Sequence, residues 1–502
     1  MTLEKTSTDD NINHRDTNGS CNSGHVVADV DEVKTPKFIY TQEEEKLVRK
    51  INFKTVPFIC LITFLQYLDK ATLNYSAVMG IYQDTKITGN QFGWLGSIFY
   101  LGYLLFQVPN QYFLQRFPIS KYLGVCLVIW GVVLGCTPLA KDFSQLAALR
   151  FLQGFFEAAA YPSLQLLIST VYRRSEQILW FGALMGCTDL ASTVGGLIGF
   201  GFWSMHGAYG LSGWKWCMLI LGCITVIVGV ITFFFMPDKA NSKWYRLTFN
   251  EIAIVESRMR DNTIIQKKRE INRQQIFEAL QEPRFYSYMF ICFLVHLVNG
   301  CVSIFTTTII KNMGFSDMES ILLNIPVGFS AILLNIMSIY LCYRFNENNY
   351  IGAIMSIITF IGILFLTVLP IGGSMLTGIL LITPSPVSAI TLTVISNNVS
   401  GYTKKVFYNG AYLVVYCLGN FTGPLMIREN EAPRYLSGMV GYMTGMIITI
   451  ILFLYTRWTI VRDNRYRQRL KLENKLPPPP LSTRENELDY SDGQNLRFLY
   501  RP

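Results

Sequence analysis

Four ionisable residues lie inside long apolar stretches of this sequence. Asp69 and Lys70 are adjacent, and Arg150 and Glu157 are seven positions apart in a second stretch. Seven residues make two helical turns, which places Arg150 and Glu157 on one helix face, about 10.5 Å apart along the axis. Because a charge facing lipid is costly, we expect this face to meet protein or a water-filled cavity.

Two acids and two bases in such a place predict the joint binding of an organic anion and a proton. A carboxylate drawn to Lys70 or Arg150 would take a base away from its acid. A buried carboxylate without a counter-ion favours its protonated form. The anion and the proton would then bind together, which is the elementary step of symport. The alternative is that the four residues form static salt bridges between helices, although buried ion pairs stabilise proteins poorly.

Other polar residues of the apolar stretches are weaker candidates. Asp189 could line a cavity or cap a helix near the surface. His296 is interpreted first as a hydrogen-bonded packing residue and second as a proton relay. Asn299 and Asn420 are possible cavity residues.

The composition indicates a membrane protein. Charged residues make up 15% of the chain and hydrophobic residues 51%, whereas an average soluble chain is about 25% charged. This excludes a soluble enzyme and a nucleic-acid-binding protein, despite 43 Lys+Arg against 34 Asp+Glu and a net charge of +9. No nucleotide-binding loop, nucleophile elbow or metal-ligand spacing is present, so we expect no enzyme activity, cofactor or metal site.

Twelve stretches reach the roughly 20 mostly apolar residues that a spanning helix needs. They divide the chain into an N-terminal half (55–236), a polar basic middle loop (237–284) with a surface helix near 248–259, a C-terminal half (285–458) and two tails (1–54 and 459–502). The predicted fold is an all-α membrane protein with these spans: 55–78, 91–114, 122–138, 146–171, 178–203, 214–236, 285–310, 320–343, 350–369, 375–396, 406–427 and 435–458.

The even number of spans places both tails on one side of the membrane. Lys and Arg are concentrated in the juxtamembrane parts of the tails and in the middle loop, which predicts that these segments are cytoplasmic. The N-terminal tail is rich in Asp, Asn, Ser and Thr and is predicted to be disordered. We expect a monomer in the plasma membrane.

Ten short motifs occur in an order that is specific, although each motif alone is weak. Together they resemble the fungal anion:cation symporters of the allantoate permease type, within the major facilitator superfamily. The motifs are YLDK (67–70), FYLGYLLFQVP (99–109), WG (130–131), EAAAYP (157–162), YRRSEQ (172–177), GWKW (213–216), IIKNMGF (309–315), NVSGYTKK (398–405), GNFTGP (419–424) and APRY (432–435).

The resemblance implies two six-helix halves of the major facilitator fold and a role for each motif residue. It assigns proton coupling to Asp69 and Glu157, and anion binding to Lys70 and Arg150, while Tyr67 matches a tyrosine that touches substrate in sugar-acid relatives. Relatives usually carry Arg at the position of Lys70, so a point charge here replaces a two-pronged donor. The loop at 115–121 also lacks the Asp that the superfamily usually has there, which leaves its gating salt bridge in doubt.

The implied function is proton-coupled symport of a small organic anion into the cytoplasm by alternating access. The anion would be a carboxylate, ureido acid, vitamin or sulfonate. Two alternatives stay open. A drug or amine:proton antiporter usually has a Gly-Pro-x-x-Gly-Gly motif in span five, where residues 191–196 lack proline. A nutrient receptor that no longer transports usually has a long signalling tail, and the tail after Trp458 is of moderate length.

Overall fold

The computed structural model describes residues 42–263, 272–473 and 490–502. These residues form helices joined by short connections, and none of them is in a β-strand. The α-helices are α1 (Gln42–Ser76), α2 (Ile81–Thr85), α3 (Gly89–Arg116), α4 (Ile119–Cys136), α5 (Phe143–Glu157), α6 (Ala160–Val171), α7 (Arg174–Ser204), α8 (Gly213–Phe235), α9 (Phe249–Thr263), α10 (Arg273–Gln281), α11 (Pro283–Asn312), α12 (Asp317–Leu322), α13 (Asn324–Phe345), α14 (Asn348–Val368), α15 (Gly373–Leu381), α16 (Pro384–Asn398), α17 (Tyr402–Thr422) and α18 (Leu436–Leu472).

The helices are consistent with twelve membrane crossings. In the described part of the chain, ten segments are long and apolar enough to span a bilayer, with α12–α13 and α15–α16 each counted as one. The other two predicted spans correspond to α5 followed by α6, and to α17. A break at Ala158 and Ala159 separates α5 from α6, so neither piece is long enough alone. Helix α17 has 21 residues, but polar residues such as Lys404 and Asn420 lower its hydropathy.

The N-terminal tail contains more structure than the sequence predicted, and the described parts of the C-terminal tail are helical or pack on the bundle. Helix α1 begins at Gln42, inside the segment 1–54 assigned to a disordered tail, and buries Leu47 and Ile51 in the N-terminal half. Three acidic residues, 43–45, occupy its first turn, where the helix dipole favours negative charge. Helix α18 runs past 458 to Leu472, and residues 490–502 pack against the helix ends. The rest of the predicted N-terminal tail, residues 1–41, lies outside the described residues.

The middle loop is divided between the two halves. Helix α9 coincides with the surface helix predicted near 248–259, and its Arg258 donates to Glu44 of α1 at 2.8 Å and to Glu176 of α7 at 2.7 Å. Helix α10 packs instead on the C-terminal half, where Gln275 accepts a hydrogen bond from the backbone N–H of Lys404 at 3.1 Å. Each half therefore has its own piece of the middle loop attached to it. We call the end of the bundle that carries Gln42 and Leu472 the terminal face, and the other end the opposite face.

Helices α3 and α5 cross with their backbones in contact, which brings α5 close to the centre of the bundle. A Cβ on Gly154 would lie 2.0 Å from the carbonyl oxygen of Phe99, and a Cβ on Gly102 would lie 2.2 Å from that of Phe151. Only glycine fits at both positions, because any side chain would push the helices apart. This contact fixes the position of Arg150 and Glu157 on α5.

Candidate functional site

The structure brings two of the four predicted charges into direct contact. Lys70 Nζ on α1 lies 3.2 Å from Glu157 Oε1 on α5. The same ammonium lies 5.6 Å from the ring centre of Tyr103 and 5.9 Å from that of Phe99, both on α3. The Lys70 side chain is 25% exposed, whereas Glu157 is fully buried. An anion could therefore reach Lys70 without first reaching Glu157.

The other two charges are joined through an amide rather than directly. Asp69 Oδ2 accepts hydrogen bonds from Trp130 Nε1 at 2.6 Å and from Gln153 Nε2. Gln153 Oε1 in turn accepts from Arg150 Nη1 at 3.1 Å. Sequence reasoning missed Gln153, although its spacing from Arg150 and Glu157, three and four residues, places it on the same helix face.

Asp69 and Arg150 are both sealed from water. Asp69 is 2% exposed and Arg150 is 3% exposed. Arg150 also approaches Thr72 of α1, with Nη2 at 3.5 Å from Oγ1. In this conformation Lys70 is therefore the accessible cation of the four-residue set.

Tyr67 joins α1 to α7. Its hydroxyl donates to Ser192 Oγ at 2.8 Å. One turn away on α7, Asp189 Oδ2 accepts from Asn335 Nδ2 of α13 at 3.0 Å, and the same amide donates to Ser385 of α16 at 3.2 Å. Asp189 therefore lies at a junction between the two halves. Ser192, Asn335 and Ser385 gave no signal in the sequence, because single hydroxyls and amides are common in spanning helices.

His296 lies in a hydrogen-bonded position on α11. Its Nδ1 is 2.7 Å from the carbonyl oxygen of Cys292, which it can only contact as a donor, and its Nε2 is 3.3 Å from Ser388 Oγ. Ser388 Oγ is also 2.8 Å from the hydroxyl of Tyr412. With both ring nitrogens engaged and 3% exposure, the geometry suits the packing interpretation of His296.

Asn299 and Asn420 contact each other. Asn299 Nδ2 donates to Asn420 Oδ1 at 2.8 Å, and Asn420 Nδ2 donates to the carbonyl oxygen of Tyr416 at 2.9 Å. The ring of Tyr416 lies 4.5 Å from that of His296 and 6.3 Å from that of Tyr100 on α3. This pair therefore supports a tyrosine that contacts the N-terminal half.

The two halves are joined between the membrane centre and the opposite face. Asn74 is the centre of this contact: its Oδ1 accepts from the backbone N–H of Thr307 at 2.9 Å, and its Nδ2 donates to Asn324 at 3.3 Å. Further towards the opposite face, Gly89 N–H donates to Glu429 at 2.7 Å. The hydrogen bonds that the structure describes between the halves lie at this end or at the Asp189 junction, which leaves the bundle closed towards the opposite face.

The model of the family described as Major Facilitator Superfamily matches residues 59–424. The chain belongs to this superfamily. The match runs from the first span to the end of the eleventh and includes every candidate site residue. The predicted all-α fold is thereby confirmed, and the fungal relatives described next confirm the resemblance to transporters of the allantoate permease type.

Full-length relatives are fungal members of the superfamily. The chain is 30% identical to the "Thiamine pathway transporter THI73" of Saccharomyces cerevisiae, over 91% of this chain and 86% of that protein. It is 29% identical to the "Allantoate permease" of the same organism, over 91% and 87%. Among solved structures, a D-xylose-proton symporter shares the fold with a TM-score of 0.61 at 14% identity, covering 82% of this chain and 97% of that one.

These similarities define the molecule as a multi-pass membrane transporter of the major facilitator superfamily that carries a small-molecule substrate. It is not an enzyme, as the sequence predicted. The matches cover most of the length of both the chain and its relatives.

Proposed function

We propose that the protein is a proton-coupled symporter that carries a small organic anion into the cytoplasm by alternating access. The anion is a carboxylate, ureido acid, vitamin or sulfonate. The named fungal relatives and the charged groups at mid-membrane support this proposal.

One observation carries the coupling: the ion pair between half-buried Lys70 and fully buried Glu157. Gln66, a neutral amide, also lies beside the Glu157 carboxylate, so the ion pair of Glu157 is supplied by Lys70. An anion that binds Lys70 weakens the direct ion pair that helps to keep Glu157 ionised. The carboxylate then takes a proton, since an unpaired charge in a low-dielectric site is costly. Anion and proton are therefore bound together.

Asp69 and Arg150 act after this first step in the proposal. Their link through Gln153 keeps Arg150 neutralised while the site is empty. Asp69 Oδ1 receives no hydrogen bond from the described residues, so this carboxylate can accept a proton without losing a donor. Protonation of Asp69 would remove the negative charge that balances Arg150 and leave the Arg150 charge free to hold the anion as the halves rearrange.

Transport follows from rocking of the two halves around the midplane site. We propose that the terminal face is cytoplasmic, because the basic residues of the tails and the middle loop lie there. The contacts of Asn74 and Gly89 then close the extracellular side, and the described conformation faces the cytoplasm. We place the protein in the plasma membrane as a monomer. Each proton that enters with the anion supplies about 1.36 kcal/mol for every unit of pH difference across that membrane.

The first experiment identifies a transported anion. A strain that lacks the protein is compared with one that expresses it, over labelled small carboxylates, ureido acids, vitamins and sulfonates at acidic and neutral pH. Uptake that is faster from acidic medium supports the proposal. Expulsion of a cationic dye on energisation, without anion uptake, would favour an amine antiporter instead.

The second experiment tests Glu157 in proteoliposomes. Glu157→Gln should abolish accumulation of the anion against its gradient from an acidic medium, while anion exchange at equal pH partly survives, because the substitution removes the titrating group and keeps its shape. Glu256→Gln, at an exposed position of α9, makes the same change away from the bundle centre and should behave as wild type. Normal accumulation by Glu157→Gln would refute the coupling role.

A further inference from the structure

Asp189 is a carboxylate at mid-membrane that the proposed symport step does not use. It stands at the midpoint of α7 and is half-buried. The described residues donate one hydrogen bond to Oδ2, from Asn335, and place no Lys or Arg in ion-pair contact with it. A carboxylate at this depth is costly unless it faces water or a partner. We therefore expect its exposed part to face the space between the halves rather than lipid.

The position of Asp189 relative to Lys70 follows from the register of two parallel helices. Both α1 and α7 run from the terminal face to the opposite face. Tyr67 contacts Ser192, and a Cβ on Gly195 would lie 2.9 Å from the hydroxyl of Tyr75, so the two helices are in register along this seam. Lys70 is one turn beyond this contact and Asp189 one turn before it. Six residues separate them along the axis, which is roughly 9 Å.

We propose that Asp189, Asn335 and Ser385 form a second substrate subsite that binds N–H donors of the transported anion. The cargo is then a carboxylate whose other end carries ureido, amide or amino N–H groups. The subsite rests on the proposed function, because the carboxylate of the cargo binds Lys70 in the subsite proposal as it does in the proposed symport step. The subsite has the opposite charge to Lys70. Its centre is the anionic acceptor Asp189 on α7, and the amide of Asn335 on α13 and the hydroxyl of Ser385 on α16 lie beside it.

The donor pattern supports this chemistry. Asn335 Nδ2 already donates to Asp189 and to Ser385, so these two contacts use the hydrogens of the amide and hold the Asp189 carboxylate in place. The second carboxylate oxygen of Asp189 remains open to accept. Because Asn335 and Ser385 belong to the C-terminal half and Asp189 to the N-terminal half, cargo bound here contacts both halves. A donor-bearing anion would therefore bridge the elements that move during transport.

The test uses purified full-length protein in detergent and two probes with one skeleton. The first is 3-ureidopropionate, which has a carboxylate and a urea with N–H donors. The second is 5-oxohexanoate, in which carbon replaces both nitrogens. Affinity is measured from the rise in unfolding temperature with probe concentration, so no proton gradient is needed. Since a hydrogen bond to a charged group is strong, the wild type should bind the ureido acid at least about ten-fold more tightly than the keto acid.

Variants separate the two ends of the cargo. Asp189→Asn should bind both probes with the affinity that the wild type has for the keto acid, and Asn335→Ala should show a smaller change in the same direction. Lys70→Met should lose both probes equally, because they share the carboxylate. Thr188→Val is the matched control on α7, since the Thr188 hydroxyl donates to its own helix, to the Leu184 carbonyl at 3.1 Å, and it should keep the preference.

Several outcomes would overturn the subsite. They are equal affinity of the wild type for the two probes, absence of binding of both, and a full ureido preference in Asp189→Asn. Loss of both probes in a folded Asp189→Asn protein would also overturn it, because Asp189 would then act at the carboxylate end. The proposed function is judged separately: a ureido preference in binding without proton-driven uptake would remove the symport and keep the subsite.

Discussion

Replacing Lys404 with methionine should release the C-terminal segment 490–502 from the terminal face. The Lys404 side chain is fully buried, and its ammonium lies 2.9 Å from Glu278 and 2.8 Å from Asp492, in addition to a contact with Glu282. These carboxylates come from α10, from the end of the middle loop and from the C-terminal segment. Without the ammonium, three negative charges would face one another across this junction.

The size of the effect follows from the burial of the partners. Removing one member of a buried ion pair costs about 3–5 kcal/mol. We expect the lower end, near 3 kcal/mol, because Glu278 and Glu282 keep about a quarter of their side-chain surface in water (25% and 23%) and are screened. Asp492 is only 3% exposed and can escape the repulsion only if the segment leaves. The loss of stability should therefore appear first as release of the C-terminal segment 490–502 from the terminal face.

Acidification should partly rescue the variant. Burial and the nearby charge of Asp492 raise the pKa of Glu282 above its usual value, even with Lys404 present. A carboxyl whose folded-state pKa is raised binds a proton more tightly in the folded state, so the folded state gains stability as the pH falls through that pKa. Without Lys404 this gain is larger. The gap in unfolding temperature between Lys404→Met and wild type should shrink as the pH is lowered from neutral.

The assay combines thermal unfolding with limited trypsin digestion of the full-length protein. Cleavage after Arg497, in the docked segment, should be faster in Lys404→Met. Lys471→Met removes an exposed lysine from the same face and serves as the control. A Lys404→Met protein that unfolds at the wild-type temperature, and is cut after Arg497 at the wild-type rate, would refute this account of the junction.

Three further predictions concern the opposite face and the helix contacts. Burial raises the pKa of Asp84, but hydrogen bonds such as that from Ser212 at 2.6 Å outweigh it and hold this pKa below its usual range. The ionised carboxylate therefore stabilises the fold above about pH 4, and Asp84→Asn should lower the unfolding temperature at pH 7. The difference in unfolding temperature between variant and wild type should vanish once the pH falls below the lowered pKa of Asp84. Gly154→Ala should destabilise by about 1–3 kcal/mol in thermal unfolding, because its Cβ would strike a backbone carbonyl of α3, whereas Gly182→Ala, with open space around it, should not. Asn74→Ala should speed hydrogen–deuterium exchange where α1, α11 and α13 meet, and unchanged exchange there would contradict its role in holding the halves together.

The number of spans could be predicted from the sequence because bilayer thickness fixes the length of an apolar block. The sequence also predicts the two spans whose helices are too short or too polar to count by length and hydropathy in the structure. These are α5 with α6, where the break at Ala158 is brief, and α17, where the polar residues are scattered. The extension of α1 back to Gln42 was missed. Its residues are polar on average, and what orders Leu47 and Ile51 is burial within the N-terminal half beside α9, a contact between segments far apart in the chain.

For the candidate site, the sequence alone determined which charges are placed in the membrane. Asp69, Lys70, Arg150 and Glu157 stand out because a charge in an apolar run is costly and must face protein or water. Only the tertiary structure decided how they are paired: Lys70 with Glu157 directly, and Asp69 with Arg150 through Gln153. Pairing depends on how α1 and α5 cross and rotate against each other. Close packing of segments far apart in the chain sets those angles, so they cannot be predicted from the spacing of residues within one helix.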